Sequence, residues 1–118
     1  MGKRILLVED SPVIQAAVTE ALAHAGYELA MASTFEQLIA RGTNGVHLIL
    51  MDVQMPELYG DDVAMVLRER GITTPIYLFS SLPPDELSER AKAAGVDGFI
   101  HKGAGIDHLV ERVAQILA

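Results

Sequence analysis

The sequence predicts an α/β fold, a doubly wound parallel sheet of five strands with five helices spread over both faces. Three observations predict it. Short apolar runs alternate with longer stretches of helical periodicity along the 118 residues. The runs lack polar alternation, as expected of parallel strands buried on both faces. Turn residues punctuate the runs, and right-handed crossovers between them place helices on each side of the sheet.

The first run, Ile5-Leu6-Leu7-Val8, is too short for a helix and is read as the first strand. Ser11 offers an N-cap and Pro12 a first helical position. Ile14, Val18, Ala21, Leu22 and Ala25 then fall on one helix face, and Gly26 ends that helix. Residues 28–32 form a weaker strand, and Ser33 with Glu36 predicts a capping box for a short helix ending near Arg41. The turn Gly42-Thr43-Asn44-Gly45 leads to a strand over 47–51. A helix over about 58–70 turns Val63, Val66 and Leu67 inward, and Gly71 closes it. Pro75 opens a strand over 76–79, and Pro83-Pro84-Asp85 starts a charged helix that ends at Ala94-Gly95. Residues 98–100 give the fifth strand, and a last helix buries Ile106, Leu109, Val110, Val113 and Leu117.

Length predicts one domain over 1–118, with no output domain in this chain. The absence of cysteine excludes disulfides and thiolate metal sites. Only four apolar residues separate Arg4 from Glu9, too few for a signal peptide or a membrane span, so a cytoplasmic location is expected. A net charge of −7 without a basic cluster argues against direct nucleic-acid or membrane binding.

In such sheets ligands gather outside the carboxyl ends of the strands. The first strand ends in Glu9-Asp10, the third in Asp52, the fourth in Ser80-Ser81 and the fifth in His101-Lys102. Three carboxylates that converge cannot all stay ionised without a cation. Oxygen ligands suit a hard divalent ion such as Mg²⁺. Lys102 adds a fixed positive charge, and Ser80 a hydrogen-bond donor. Metal and ammonium together can hold a phosphoryl group, with Asp52 as its nucleophilic acceptor. Each residue alone has a plainer reading. Glu9-Asp10 can favour a helix N-terminus, Asp52 can be a turn residue, Ser80 can be structural, and Lys102 can be a solvated surface lysine. Their shared placement on one rim carries the argument. Asp61-Asp62 reads as a solvated helix start, Met55-Pro56 as a turn lock, and the four histidines share no ligand spacing.

These segments resemble the receiver domain of bacterial response regulators, the CheY-like proteins of two-component signalling. The opening strand and acid pair over 4–10, the motif Asp52-Val53-Gln54-Met55-Pro56 followed by Gly60, the strand and hydroxyl over 75–81, and the stretch 94–102 resemble that family in order and spacing. The resemblance implies a flavodoxin-like strand order 2-1-3-4-5. It implies Asp52 as phosphoacceptor, and Mg²⁺ held by Glu9, Asp10, Asp52 and the Gln54 backbone carbonyl. Lys102 would contact the phosphoryl group, Ser80 would move toward it, and Phe99 would report the switch on the face of helix four, strand five and helix five. The implied partners are a sensor histidine kinase or phosphotransfer protein and a downstream protein effector. The implied state is a monomer or a weak phosphorylation-linked dimer.

Three positions depart from the family pattern. Gly103 stands where the family usually has a cis-linked proline, so a trans peptide and a looser loop are expected. Ser81 replaces a usual alanine. Gln54 and Leu82 occupy positions that in the family tune acyl-phosphate hydrolysis. An aspartyl-phosphate phosphohydrolase would need an acid/base where Gln54 stands, and the chain lacks a substrate cap. A phosphorylation-independent interaction module fits poorly with an intact Glu9, Asp10, Asp52, Ser80 and Lys102. A flavin binder would need a hydroxyl-rich phosphate loop after the first strand, where Glu9-Asp10 would repel the phosphate.

Overall fold

The computed structural model describes residues 2–118. The elements run β1 (Arg4–Val8), α1 (Pro12–His24), β2 (Glu28–Ala32), α2 (Phe35–Arg41), β3 (Leu48–Asp52), α3 (Gly60–Glu69), β4 (Ile76–Ser80), α4 (Pro84–Ala94) and β5 (Gly98–His101). A 3-10 turn over Lys102–Ala104 then leads to α5 (Ile106–Ile116). The strands form one parallel sheet in the order β2-β1-β3-β4-β5, as the family resemblance implies.

The strands β1 and β3 are the most apolar for a physical reason. Each has a strand on both sides and helices on both faces, so beyond the half-exposed Arg4 their side chains are shut away from water. Ile5, Leu6, Leu7, Leu48, Ile49, Leu50 and Met51 are all fully buried. Alternation along the strands sorts them into two cores. Leu6, Val8, Ile49, Met51 and Leu78 pack with Leu38 of α2, Val63 and Leu67 of α3, and Leu87 of α4. Ile5, Leu7, Leu48, Leu50 and Phe79 pack with Val18 and Leu22 of α1 and Leu109 and Val113 of α5. Burial of each such side chain contributes roughly 1.5–3 kcal/mol. The edge strand β2 leaves Met31 exposed, which accounts for its weaker pattern.

Several boundaries differ from the sequence reading. The cap of α2 is Thr34, not Ser33: Thr34 Oγ1 accepts the Gln37 N–H at 3.1 Å. The Ser33 hydroxyl is already bound by the Gln15 amide, and Gln37 Oε1 accepts the Ser33 N–H. The third strand is displaced by one residue, because His47 is used outside it: its Nδ1 accepts the Arg4 N–H at 3.0 Å. Helix α3 begins at Gly60, two residues late, since an antiparallel bridge between Gln54 and Tyr59 keeps the preceding loop extended. Its buried side chains include Ala64, while Val66 is only half-buried. In α5, Ile106 is exposed and Val110 and Leu117 are half-buried. Asp61 is not a solvated residue: Arg90 of α4 binds both of its carboxylate oxygens at 3.1 and 3.2 Å.

The loop after β3 returns very close to its own strand. The Gly60 N–H donates to the Val53 carbonyl at 2.8 Å. A Cβ at position 60 would stand 1.8 Å from the Asp52 carbonyl oxygen, so only glycine fits. Gly60→Ala is expected to lower the unfolding free energy by about 3 kcal/mol through this backbone clash. Urea denaturation followed by circular dichroism measures it, and an unchanged midpoint would contradict the close approach.

Candidate functional site

The parallel register brings the strand ends level. Val8 pairs with Met51, Asp52 with Phe79, and Ser80 with His101, so the residues that follow share one rim. Glu9 is fixed by its backbone, whose N–H donates to Ala32 at 3.1 Å. Asp52 is the last residue of β3 and Lys102 the first beyond β5.

Four of the predicted site residues meet there. Lys102 Nζ lies 2.7 Å from Glu9 Oε1 and 3.2 Å from Asp52 Oδ1. Glu9 is 1% exposed and Asp52 3%. Lys102 Nζ also lies over the Phe79 ring, 5.3 Å from its centroid. Carboxylate oxygens of Glu9, Asp10 and Asp52 lie within 4.8 Å of one another. Backbone donors complete the pocket: Ser11 N–H binds Glu9 Oε2 at 3.1 Å and Gln54 N–H binds Asp52 Oδ1 at 3.2 Å. Three carboxylates against one ammonium leave a formal charge of −3 + 1 = −2 on a largely buried rim. Glu9 Oε1, although close to Lys102, makes no properly aligned hydrogen bond. An all-oxygen donor set with that surplus fits a hard divalent cation.

Burial pushes the Asp52 carboxyl up to about 7; Lys102 opposes the rise and Glu9 adds to it. Burial also acts to raise Glu9. The Lys102 ammonium at 2.7 Å, together with the Ser11 N–H, outweighs it and holds Glu9 below its ordinary value. The proton that such crowding demands therefore resides on Asp52.

The other predicted residues stand apart from this group. Ser80 is buried at the end of β4, and its Oγ accepts the Leu82 N–H at 3.1 Å, tying it to its own loop. Phe99 is half-buried against the core that includes Leu87 and Ala91 of α4. The Gln54 side chain is exposed. The segment after Lys102, expected to be loose, is instead a turn in which His101 Nδ1 accepts the Gly103 N–H at 2.9 Å. Its peptides are trans, as expected; no cis peptide occurs among the described residues. Sequence reasoning missed this role of His101. The only available signal was a histidine two residues before a glycine.

A five-stranded parallel sheet in this order, with acids and a lysine beyond its strand ends, defines the flavodoxin-like class of α/β domains. Within that class the chain belongs to the response regulator receiver domain family, whose model matches residues 5–114. That family consists of signalling switches of two-component systems. The chain is 32% identical over 117 residues to the gliding motility regulatory protein of Myxococcus xanthus, covering 96% of this chain and 15% of that protein. It is 30% identical over 120 residues to response regulator MprA of Mycobacterium sp. strain KMS, covering 99% of this chain and 51% of that one. The chain thus spans about half the length of MprA and a smaller share of the Myxococcus protein. The solved structure of chemotaxis protein CheY4 from Vibrio cholerae matches with a TM-score of 0.88 at 25% identity, covering 98% of this chain and 99% of that chain. No described helix is long and apolar enough to cross a membrane.

The raised Asp52 has a consequence for stability. A folded value near 7 against an ordinary 3.8 means that the folded state binds this proton more tightly than the unfolded chain. That contribution is fully present below pH 3.8 and is lost as pH rises through 7. Asp52→Asn, which keeps the neutral form, is expected to stabilise the metal-free protein at pH 8 by about 2–4 kcal/mol. The gain should shrink steadily toward pH 4. Urea unfolding in chelator at several pH values checks it, and a variant no more stable than wild type at pH 8 would contradict the assignment.

Proposed function

We propose that the chain is a phosphoryl-accepting receiver unit over 1–118, in which Asp52 is the acceptor. The observation that carries the reading is the buried Asp52 carboxylate sharing Lys102 with Glu9, with Asp10 beside them. The donor is a phosphohistidine on a sensor kinase or phosphotransfer protein. Asp52 Oδ1 is engaged by Lys102 and the Gln54 N–H, which leaves Oδ2 as the attacking oxygen. The new O–P bond forms as the P–N bond breaks, and the released imidazole retains the electron pair and takes up a proton. Asp10, Asp52 and the Gln54 carbonyl would hold Mg²⁺, with Glu9 behind them. Bound there, the ion would keep Asp52 ionised and neutralise charge on the phosphoryl oxygens.

Lys102 then turns from Asp52 Oδ1 to a phosphoryl oxygen, an ammonium suited to a compact anion. Ser80 leaves Leu82 and donates its O–H to the same group. Phe99, packed under α4, follows and alters the face of α4, β5 and α5 that meets a downstream effector. The location in this reading is the cytoplasm, and the state a monomer or weak phosphorylation-linked dimer.

Incubation with acetyl phosphate and Mg²⁺ is expected to add one phosphoryl group by intact mass. Chelator or Asp52→Asn should abolish it, and labelling that persists in the Asn variant would overturn the acceptor. Beryllofluoride, which mimics the phosphoryl group, is expected to shift NMR signals around Phe99 and α4. Shifts confined to Glu9, Asp10, Asp52 and Lys102 would favour a module whose outer face ignores phosphate.

A further inference from the structure

We propose that His101 is a positioning residue whose imidazole closes the turn that aims Lys102 into the acid pocket. The inference rests on the reading above, in which Lys102 meets the incoming phosphoryl group. Lysine is a point charge on a flexible four-carbon stem, so its backbone must be held if Nζ is to be placed. Lys102 is the first residue of a three-residue 3-10 turn, a poorly hydrogen-bonded element on its own. Its backbone closure, Gly105 N–H to Lys102 O, is 3.2 Å long.

The imidazole supplies what the turn lacks. His101 Nδ1 accepts the Gly103 N–H at 2.9 Å, bracketing Lys102 from both sides. The backbone that carries the ring is itself anchored, because His101 is the last residue of β5 and pairs with Ser80 of β4. Accepting at Nδ1 leaves the ring proton on Nε2. The identity of residue 103 points the same way. Gly103 does not have the positive φ that would require glycine. A Cβ there would instead lie 2.8 Å from His101 Cε1 and 2.9 Å from Nδ1. The imidazole occupies the volume that any other side chain would need. Sheet, ring, Gly103 N–H and Lys102 backbone thus form one rigid sequence ending at the ammonium.

The test uses the full chain, acetyl phosphate and saturating Mg²⁺, with labelling rates read by intact mass. His101→Ala is expected to slow labelling about tenfold, the scale on which small misplacements act. Mg²⁺ affinity, read by calorimetry, should not change. His101→Asn, whose side-chain oxygen can accept the same N–H, is expected to recover most of the rate. Gly103→Ala should slow labelling as His101→Ala does, and the double variant should be no slower than either, since all break one contact. A wild-type rate for His101→Ala, an Asn variant as slow as the Ala variant, or additive losses would overturn the proposal. Should His101→Ala fail to fold, folded Gly103→Ala labelling at the wild-type rate would overturn it. Lys102→Met separates the two levels. If it labels normally, the phosphoryl role of Lys102 fails; if it is slow while His101→Ala is normal, only the positioning role fails.

Discussion

The site depends on one ammonium serving two buried carboxylates. Lys102 Nζ is within 3.2 Å of both Glu9 and Asp52, and Asp10 brings a third acid within 4.8 Å. In so desolvated a place the Coulomb terms are several times larger than in water. Burial, reinforced by the Glu9 charge, outweighs what the shared ammonium gives Asp52, so Asp52 retains a proton far above its ordinary range. Its ionised form is favoured above about pH 7, or at lower pH when further positive charge arrives. In the proposed reading, acceptance at Asp52 would be favoured by a bound cation that holds it ionised.

The fold supplies the crowding and pays for it in the layers beneath. Apolar runs in the strands pack two cores, and the parallel register ends them on one rim. The loop after β3 cannot drift, since Gly60 is pressed against the Asp52 carbonyl. That loop continues into contacts with α4: Arg90 binds Asp61 at 3.1 Å and Glu86 at 3.0 Å, and its guanidinium lies 5.2 Å from the Tyr59 ring centroid. The segment following Asp52 is thus physically continuous with the helix that covers Phe99. Contiguity of this kind provides a route for a change at Asp52 without itself measuring coupling.

Much of this was legible in the sequence because it follows from periodicity. Runs such as Ile5-Leu6-Leu7-Val8 and Leu48-Ile49-Leu50-Met51 announce buried strands, and a strand pattern in a parallel α/β frame says where their ends must lie. The grouping of Glu9, Asp10, Asp52 and Lys102 was readable on that ground alone. What escaped was competition among side chains. Ser33 and Thr34 are equal candidates for a cap until Gln15 claims the Ser33 hydroxyl. Asp61 looks solvated until α4 delivers Arg90 from 29 residues away. His101 looks like a bystander until its ring is seen filling the space above Gly103. Local spacing cannot encode such partners, because tertiary packing chooses them.

The positions of Ser80 and Phe99 bear on how far a phosphoryl group can drive the proposed switch. Ser80 is held by one neutral hydrogen bond to the Leu82 N–H. Exchanging it for a charge-assisted bond to a phosphoryl oxygen gains about 1 kcal/mol net, since such bonds are roughly twice as strong as neutral ones. That gain shifts a two-state equilibrium by about fivefold to tenfold, well short of the ~10⁴-fold needed to invert it from 1:99 to 99:1. The remaining bias must come from Lys102, whose change of partner alters a buried ion pair, and from an effector that binds only one arrangement of α4. A switch of the proposed kind would be graded rather than absolute: phosphorylation would load the equilibrium, and partner binding would complete it.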